Sequence, residues 1–118
     1  MKPEAQLALV VDDERAVRTL VARALARLGF TPLEARNGLE ALALYVSYRS
    51  GIALVVTDVD MPVMNGLEAI DRMRELCPGV RVLVMTGTER DLNLPGCQLL
   101  RKPFTMAQLG ELVNRTLA

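Results

Sequence analysis

The 118 residues amount to one domain, long enough to bury about two thirds of the surface that its unfolded chain would expose. Apolar residues make up 51% of the chain and aromatics only 3%, so the core has to be packed from Leu, Val, Ala, Ile and Met. The 14 basic and 14 acidic side chains cancel without forming blocks, and His is absent; this argues against a nucleic-acid or membrane-surface binder and removes the usual zinc, haem and imidazole-based sites.

The first apolar run, residues 7–11, leads directly into Asp12, Asp13 and Glu14. It is too short and too weakly charged ahead of the run for a signal peptide, so it reads as a buried strand of a cytoplasmic protein. Val17, Leu20, Val21, Ala24, Leu25 and Leu28 then recur at three- and four-residue steps, closed by Gly29, which gives a helix of about four turns. A strand at residues 31–35 follows. Asn37 caps the next helix, with Glu40 three residues on and Leu39, Leu42 and Val46 as its apolar stripe.

Residues 52–57 are apolar almost throughout, as in a strand buried on both faces, and deliver Asp58 at the C-terminal end. After the turn Met61-Pro62-Val63-Met64-Asn65-Gly66, a helix capped by Asn65 runs to about Cys77, with Leu67, Ile70, Met73 and Leu76 or Cys77 facing in, and Pro78-Gly79 stops it. Residues 80–85 form the fourth strand, ending at Thr86-Gly87. The polar stretch to Pro95-Gly96 leaves room for only a short fourth helix or none. Cys97–Arg101 is the fifth strand, and Thr105 with Gln108 makes a capping box for a last helix with the stripe Leu109, Leu112, Val113 and Leu117. Cys77 and Cys97 lack metal-type spacing and are expected to be reduced thiols.

Short apolar runs alternating with helical stretches, without repeats or linkers, signal an α/β fold with a parallel sheet. By analogy with doubly wound folds of this element sequence, the expectation is a flavodoxin-like five-stranded sheet in the order 2-1-3-4-5. Ligands of such sheets bind beyond the C-terminal strand ends, where this chain carries Asp12, Asp13, Asp58, Thr86 and Lys102. Carboxylates gathered from neighbouring first and third strands would repel, and a hard divalent cation resolves that repulsion. Mg²⁺ suits best, because it takes carboxylates together with phosphate oxygens. With Lys102 to neutralise phosphoryl oxygens and the Thr86 hydroxyl to bond one, Asp58 has the surroundings of a nucleophile toward phosphorus.

Asp12-Asp13, Asp58-Val59-Asp60-Met61-Pro62-Val63-Met64-Asn65-Gly66, Thr86-Gly87 and Lys102-Pro103-Phe104 together resemble the motifs of the response-regulator receiver family of two-component systems, over essentially the whole of residues 1–118. The resemblance implies that Asp58 is the phosphoacceptor for a phosphohistidine donor, that Asp13, Asp58 and the backbone carbonyl of Asp60 ligate Mg²⁺, and that Asp12 acts mainly through a metal-bound water. It further implies Thr86 as the switch hydroxyl, Lys102 as the phosphate partner, slow self-hydrolysis of the aspartyl phosphate, and a histidine kinase or histidine phosphotransfer protein as partner.

Three features depart from the family pattern. Leu99 stands where an aromatic or His is usual, Gly87 where Ala is commoner, and Thr86 and Lys102 are only 102 − 86 = 16 positions apart, several fewer than usual. The shortened segment and Leu100-Arg101-Lys102-Pro103-Phe104 are similar to receivers fused to hybrid histidine kinases, which implies that the chain is, or derives from, a hybrid-kinase receiver with a fused kinase or output domain, or its single-domain relative. Two rivals remain: a receiver-like interaction module that works without phosphorylation, suggested by Leu99 and the short fourth segment, and a haloacid-dehalogenase-type phosphatase, suggested by Asp58-Val59-Asp60 at a strand end.

Overall fold

The computed structural model describes residues 6–61, 63–87 and 96–118. Its strands are β1 (Gln6–Val11), β2 (Phe30–Ala35), β3 (Ile52–Asp58), β4 (Val82–Thr86) and β5 (Cys97–Arg101). The helices among the described residues are α1 (Arg15–Arg27), α2 (Gly38–Tyr48), α3 (Gly66–Leu76) and α4 (Met106–Leu117). All strand pairings are parallel, and the order is β2-β1-β3-β4-β5, the doubly wound arrangement expected. The expectation of a short or missing helix before β5 falls on residues 88–95, outside the described residues.

Side-chain alternation along the central strands divides the core into two layers. Ala8, Val10, Leu54, Val56, Leu83 and Met85 point to one face, where Val21 and Leu25 of α1 and Leu109 and Val113 of α4 cover them. Leu9, Val11, Val55, Val82 and Val84 point to the other, against Ala41 and Tyr45 of α2 and Ala69, Ile70 and Met73 of α3. Both faces of β1, β3 and β4 are buried, which is why these strands read as unbroken apolar runs.

Helix starts follow local chemistry. Asn37 and Asn65 accept from the N–H groups of Glu40 and Glu68 at 2.8 and 3.0 Å, and Thr105 with Gln108 forms a reciprocal capping box. One expected helix face is rotated, and a second is buried except at its margins. On α2, Leu39 and Val46 are 54% and 56% exposed, and Gly38, Ala41 and Tyr45 are buried instead. This helix is apolar on nearly every side, so spacing alone does not distinguish the face toward the sheet from the other. On α1, Leu20 and Leu28 stay half exposed and line a groove shared with Met106, Leu109 and Gly110 of α4. At the end of α3, Cys77 packs inward and Leu76 faces solvent. Both thiols are free, as expected.

Candidate functional site

Register brings the polar strand ends into one row. Val11 pairs with Thr57, Asp58 with Met85, and Thr86 with Arg101, so Asp12, Asp58, Thr86 and Lys102 all lie at the C-terminal edge of the sheet. The row is fastened by backbone bonds, the Val59 N–H donating to the Met85 carbonyl at 3.2 Å and the Lys102 N–H to the Thr86 carbonyl at 2.8 Å.

Asp12 is fully buried just beyond β1. Its Oδ1 accepts from the Glu14 N–H at 2.9 Å, at the entrance to α1, and its Oδ2 accepts from Lys102 Nζ at 2.9 Å. Asp58, the last residue of β3, is 5% exposed; its Oδ1 accepts from the Asp60 N–H at 3.2 Å and its Oδ2 from Lys102 Nζ at 3.3 Å. One ammonium therefore bridges carboxylates from two neighbouring strands. Asp13 is exposed beside them, and carboxylate oxygens of Asp12, Asp13 and Asp58 lie within 4.8 Å of one another. Asp60 is exposed, and Thr86 is wholly buried at the tip of β4.

Burial sets the electrostatics. It holds the Asp58 carboxyl above the usual carboxylate range, against the opposing pull of the Asp60 N–H and the Lys102 charge. Burial also works against the Lys102 ammonium, yet the hydrogen bond and charge of Asp12, then those of Asp58, leave its pKa above that of a free lysine. Such an arrangement keeps one half-buried cation charged and opposite a carboxylate that ionises reluctantly. Hard oxygen donors clustered at this spacing suit a small divalent cation.

Three further residues build the site without being legible as functional in the sequence. Thr57 donates its hydroxyl to the Asp58 carbonyl at 2.9 Å. Gly66 passes so close beneath that a Cβ there would lie 2.2 Å from the same carbonyl oxygen. Arg18 donates from Nη1 to the Asp12 carbonyl at 2.9 Å and pairs through Nε with Glu34 at 3.1 Å. Gly66 belongs to a motif already visible in the sequence, although its packing role is not. Thr57 and Arg18 carry no signal of their own. Leu99 sits half-buried in β5, opposite Val84, on the α2 and α3 side of the sheet.

The response regulator receiver domain model matches residues 8–114. The DNA-binding transcriptional regulator NtrC of Azospirillum brasilense is 36% identical, with 92% of this chain and 24% of that protein covered. Sensor kinase CckA of Brucella abortus is also 36% identical, over 92% of this chain and 12% of the kinase. The chain thus spans 12 to 24% of the length of these two relatives. A crystal structure of the receiver domain from the hybrid histidine kinase CckA superposes with a TM-score of 0.84 at 33% identity, covering 95% of this chain and 99% of that one. A family match along nearly the whole chain, on a parallel sheet of order β2-β1-β3-β4-β5 with Asp12, Asp13 and Asp58 gathered at its C-terminal edge, means that the chain belongs to the response regulator receiver domain family.

Proposed function

We propose that this domain, residues 1–118, is the phosphoacceptor of a two-component phosphorelay, taking a phosphoryl group from a phosphohistidine onto Asp58 in a Mg²⁺-dependent reaction. One observation carries the reading: Lys102 Nζ lies 2.9 Å from Asp12 and 3.3 Å from Asp58, so a nucleophilic carboxylate, a second acidic group and a fixed positive charge meet at one strand edge. An Asp58 carboxylate oxygen forms the new bond to phosphorus as the P–N bond of the donor breaks, and the imidazole leaves with that electron pair. Lys102 offsets charge on the phosphoryl oxygens, and the Thr86 hydroxyl bonds one of them and reports its arrival.

The Asp12, Asp13 and Asp58 carboxylates fit Mg²⁺; Asp13 and Asp58 would hold it together with the Asp60 carbonyl that the family resemblance implies, and Asp12 would act mainly through a water. When bound, the ion neutralises carboxylate and phosphoryl charge. The domain acts as a signalling phosphoacceptor with slow self-dephosphorylation, not as a classical enzyme. Its partner is a histidine kinase or a histidine phosphotransfer protein, and the similarity to CckA supports a fused kinase or output domain. We further propose that the domain works in the cytoplasm and binds neither nucleic acid nor membrane. No helix among the described residues is long and apolar enough to cross a membrane.

The test is intact mass after incubation with acetyl phosphate and Mg²⁺. A labile single-phosphate adduct, absent from Asp58→Asn, is expected. Absence of any adduct would favour the phosphorylation-independent module, the reading that Leu99 recommends, and rapid turnover of phosphate monoesters would favour a haloacid-dehalogenase-type phosphatase.

A further inference from the structure

Helix α2 starts at the same end of the sheet as Asp58, and its first residue meets the turn that leads from Asp58 to α3. The Gly38 N–H donates to the Val63 carbonyl at 3.3 Å. A Cβ on Gly38 would lie 2.2 Å from the Met64 carbonyl oxygen, 2.8 Å from its Cγ and 2.9 Å from its Cβ. Since the nearest obstacle is backbone, no rotamer change of Met64 clears it. Met64 itself has φ 45°, a left-handed conformation that residues other than Gly seldom adopt. The turn is therefore pressed between two glycines, Gly66 against the Asp58 carbonyl and Gly38 against Met64. Between them lies Asp60, whose N–H bonds the Asp58 carboxylate.

We propose that Gly38 is a positioning residue for the phosphoacceptor: by admitting the Met64 backbone to the start of α2, it fixes how Val59, Asp60 and Met61 sit around Asp58. The inference deepens the phosphoacceptor reading and rests on it. Helix propensity points the other way, because Ala extends a helix better than Gly does. A purely local role for Gly38 therefore predicts that Gly38→Ala is harmless or stabilising, whereas the contact with Met64 predicts that it displaces the turn.

The experiment compares the wild type, Gly38→Ala, Met64→Gly and the double variant. Each is followed by acetyl phosphate labelling with Mg²⁺ and, in metal-free protein, by amide hydrogen exchange at Asp60 and Gly66. Gly38→Ala is expected to slow labelling by roughly tenfold or more and to speed exchange at both amides, because small displacements of reacting groups are costly. Met64→Gly removes the Cβ and Cγ that crowd Gly38 and leaves the carbonyl on a residue free to change its φ and ψ and so move it aside, so adding Gly38→Ala to it is expected to cost less than about threefold. Wild-type labelling and exchange in Gly38→Ala overturn the inference and leave the phosphoacceptor reading standing; a wild type that takes no label defeats both. Should Gly38→Ala fail to fold alone, the Met64→Gly pair decides. A double variant that folds and labels like Met64→Gly supports the contact, and equal failure in both backgrounds refutes it.

Discussion

Replacing Lys102 with Met tests the charge arrangement at its centre. The ammonium is the cation that both Asp12, wholly buried, and Asp58, 5% exposed, contact within 3.3 Å, and Met preserves most of the side chain's apolar bulk. Removing one partner of a buried ion pair costs about 3–5 kcal/mol, because the remaining charge is left without compensation. The Lys102 side chain is 19% exposed and the exposed Asp13 opens the cluster to water, which reduces the expected loss to roughly 2–3 kcal/mol. In a chain of 118 residues this corresponds to a fall in melting temperature of roughly 8–15 °C. The assay is thermal and urea unfolding near neutral pH, first with chelator and then with Mg²⁺, which should raise the variant's stability more than the wild type's. The deficit should also shrink toward acid pH, since losing Lys102 removes an influence that lowers the Asp58 pKa, and a protonated carboxyl needs no cation. A variant within about 0.5 kcal/mol of wild type in chelator, with an unchanged response to Mg²⁺, would refute the reasoning.

Asp58→Asn should make the metal-free protein more stable at neutral pH. Burial raises the folded-state pKa of Asp58 above the ordinary 3.8, so the folded protein holds that proton more tightly and loses stability as pH climbs through the folded-state value. Asn carries no such penalty, and the gain should vanish below the unfolded-state pKa; a variant less stable than wild type at neutral pH would show the sign to be wrong. Gly66→Ala, whose Cβ would stand 2.2 Å from the Asp58 carbonyl oxygen, should lose about 1–3 kcal/mol in urea unfolding and label poorly with acetyl phosphate. Asp13→Ala should change folding stability by less than about 0.5 kcal/mol, because the residue is exposed, while Mg²⁺ affinity measured by titration calorimetry collapses. Unchanged affinity would remove Asp13 from the ligand set.

The strand sequence of this fold was legible because β1, β3 and β4 are buried on both faces and so read as apolar runs that end abruptly in polar residues. The convergence of Asp12, Asp13, Asp58 and Lys102 was legible for the same reason: each stands at such an end. Helix faces were harder. The spacing of Leu39 and Val46 on α2 suits a buried stripe as well as Ala41 and Tyr45 do, and only the sheet beneath, with the turn at Met64, selects between them. Strand limits shifted where a turn intrudes, as at Val80, whose N–H bonds the Cys77 carbonyl in the turn after α3 instead of starting β4. The supports of Asp58 stayed hidden because they are backbone contacts. Thr57 bonds a carbonyl one residue away and Gly66 acts through the side chain it lacks, and neither leaves a chemical pattern that can be read without coordinates.

Leu99 determines what a switch in this domain can be made of. An aliphatic side chain at that position offers neither a ring edge nor a hydroxyl, so a rotamer change there exposes or buries little that a partner could distinguish. The strand ends, however, are coupled through the backbone: Val59 to Met85 across β3 and β4, and Lys102 to Thr86 across β4 and β5. In the proposed reaction, negative charge added at Asp58 draws on the Lys102 ammonium, already shared with Asp12, and any movement of the Lys102 main chain loads its 2.8 Å bond to the Thr86 carbonyl. Thr86 is wholly buried, so in that reaction it would be expected to respond by repacking with β4 and β5 and not by swinging into solvent. If Asp58 takes the phosphoryl group as proposed, the signal would leave through the strand ends at Thr86, a route that needs no aromatic residue.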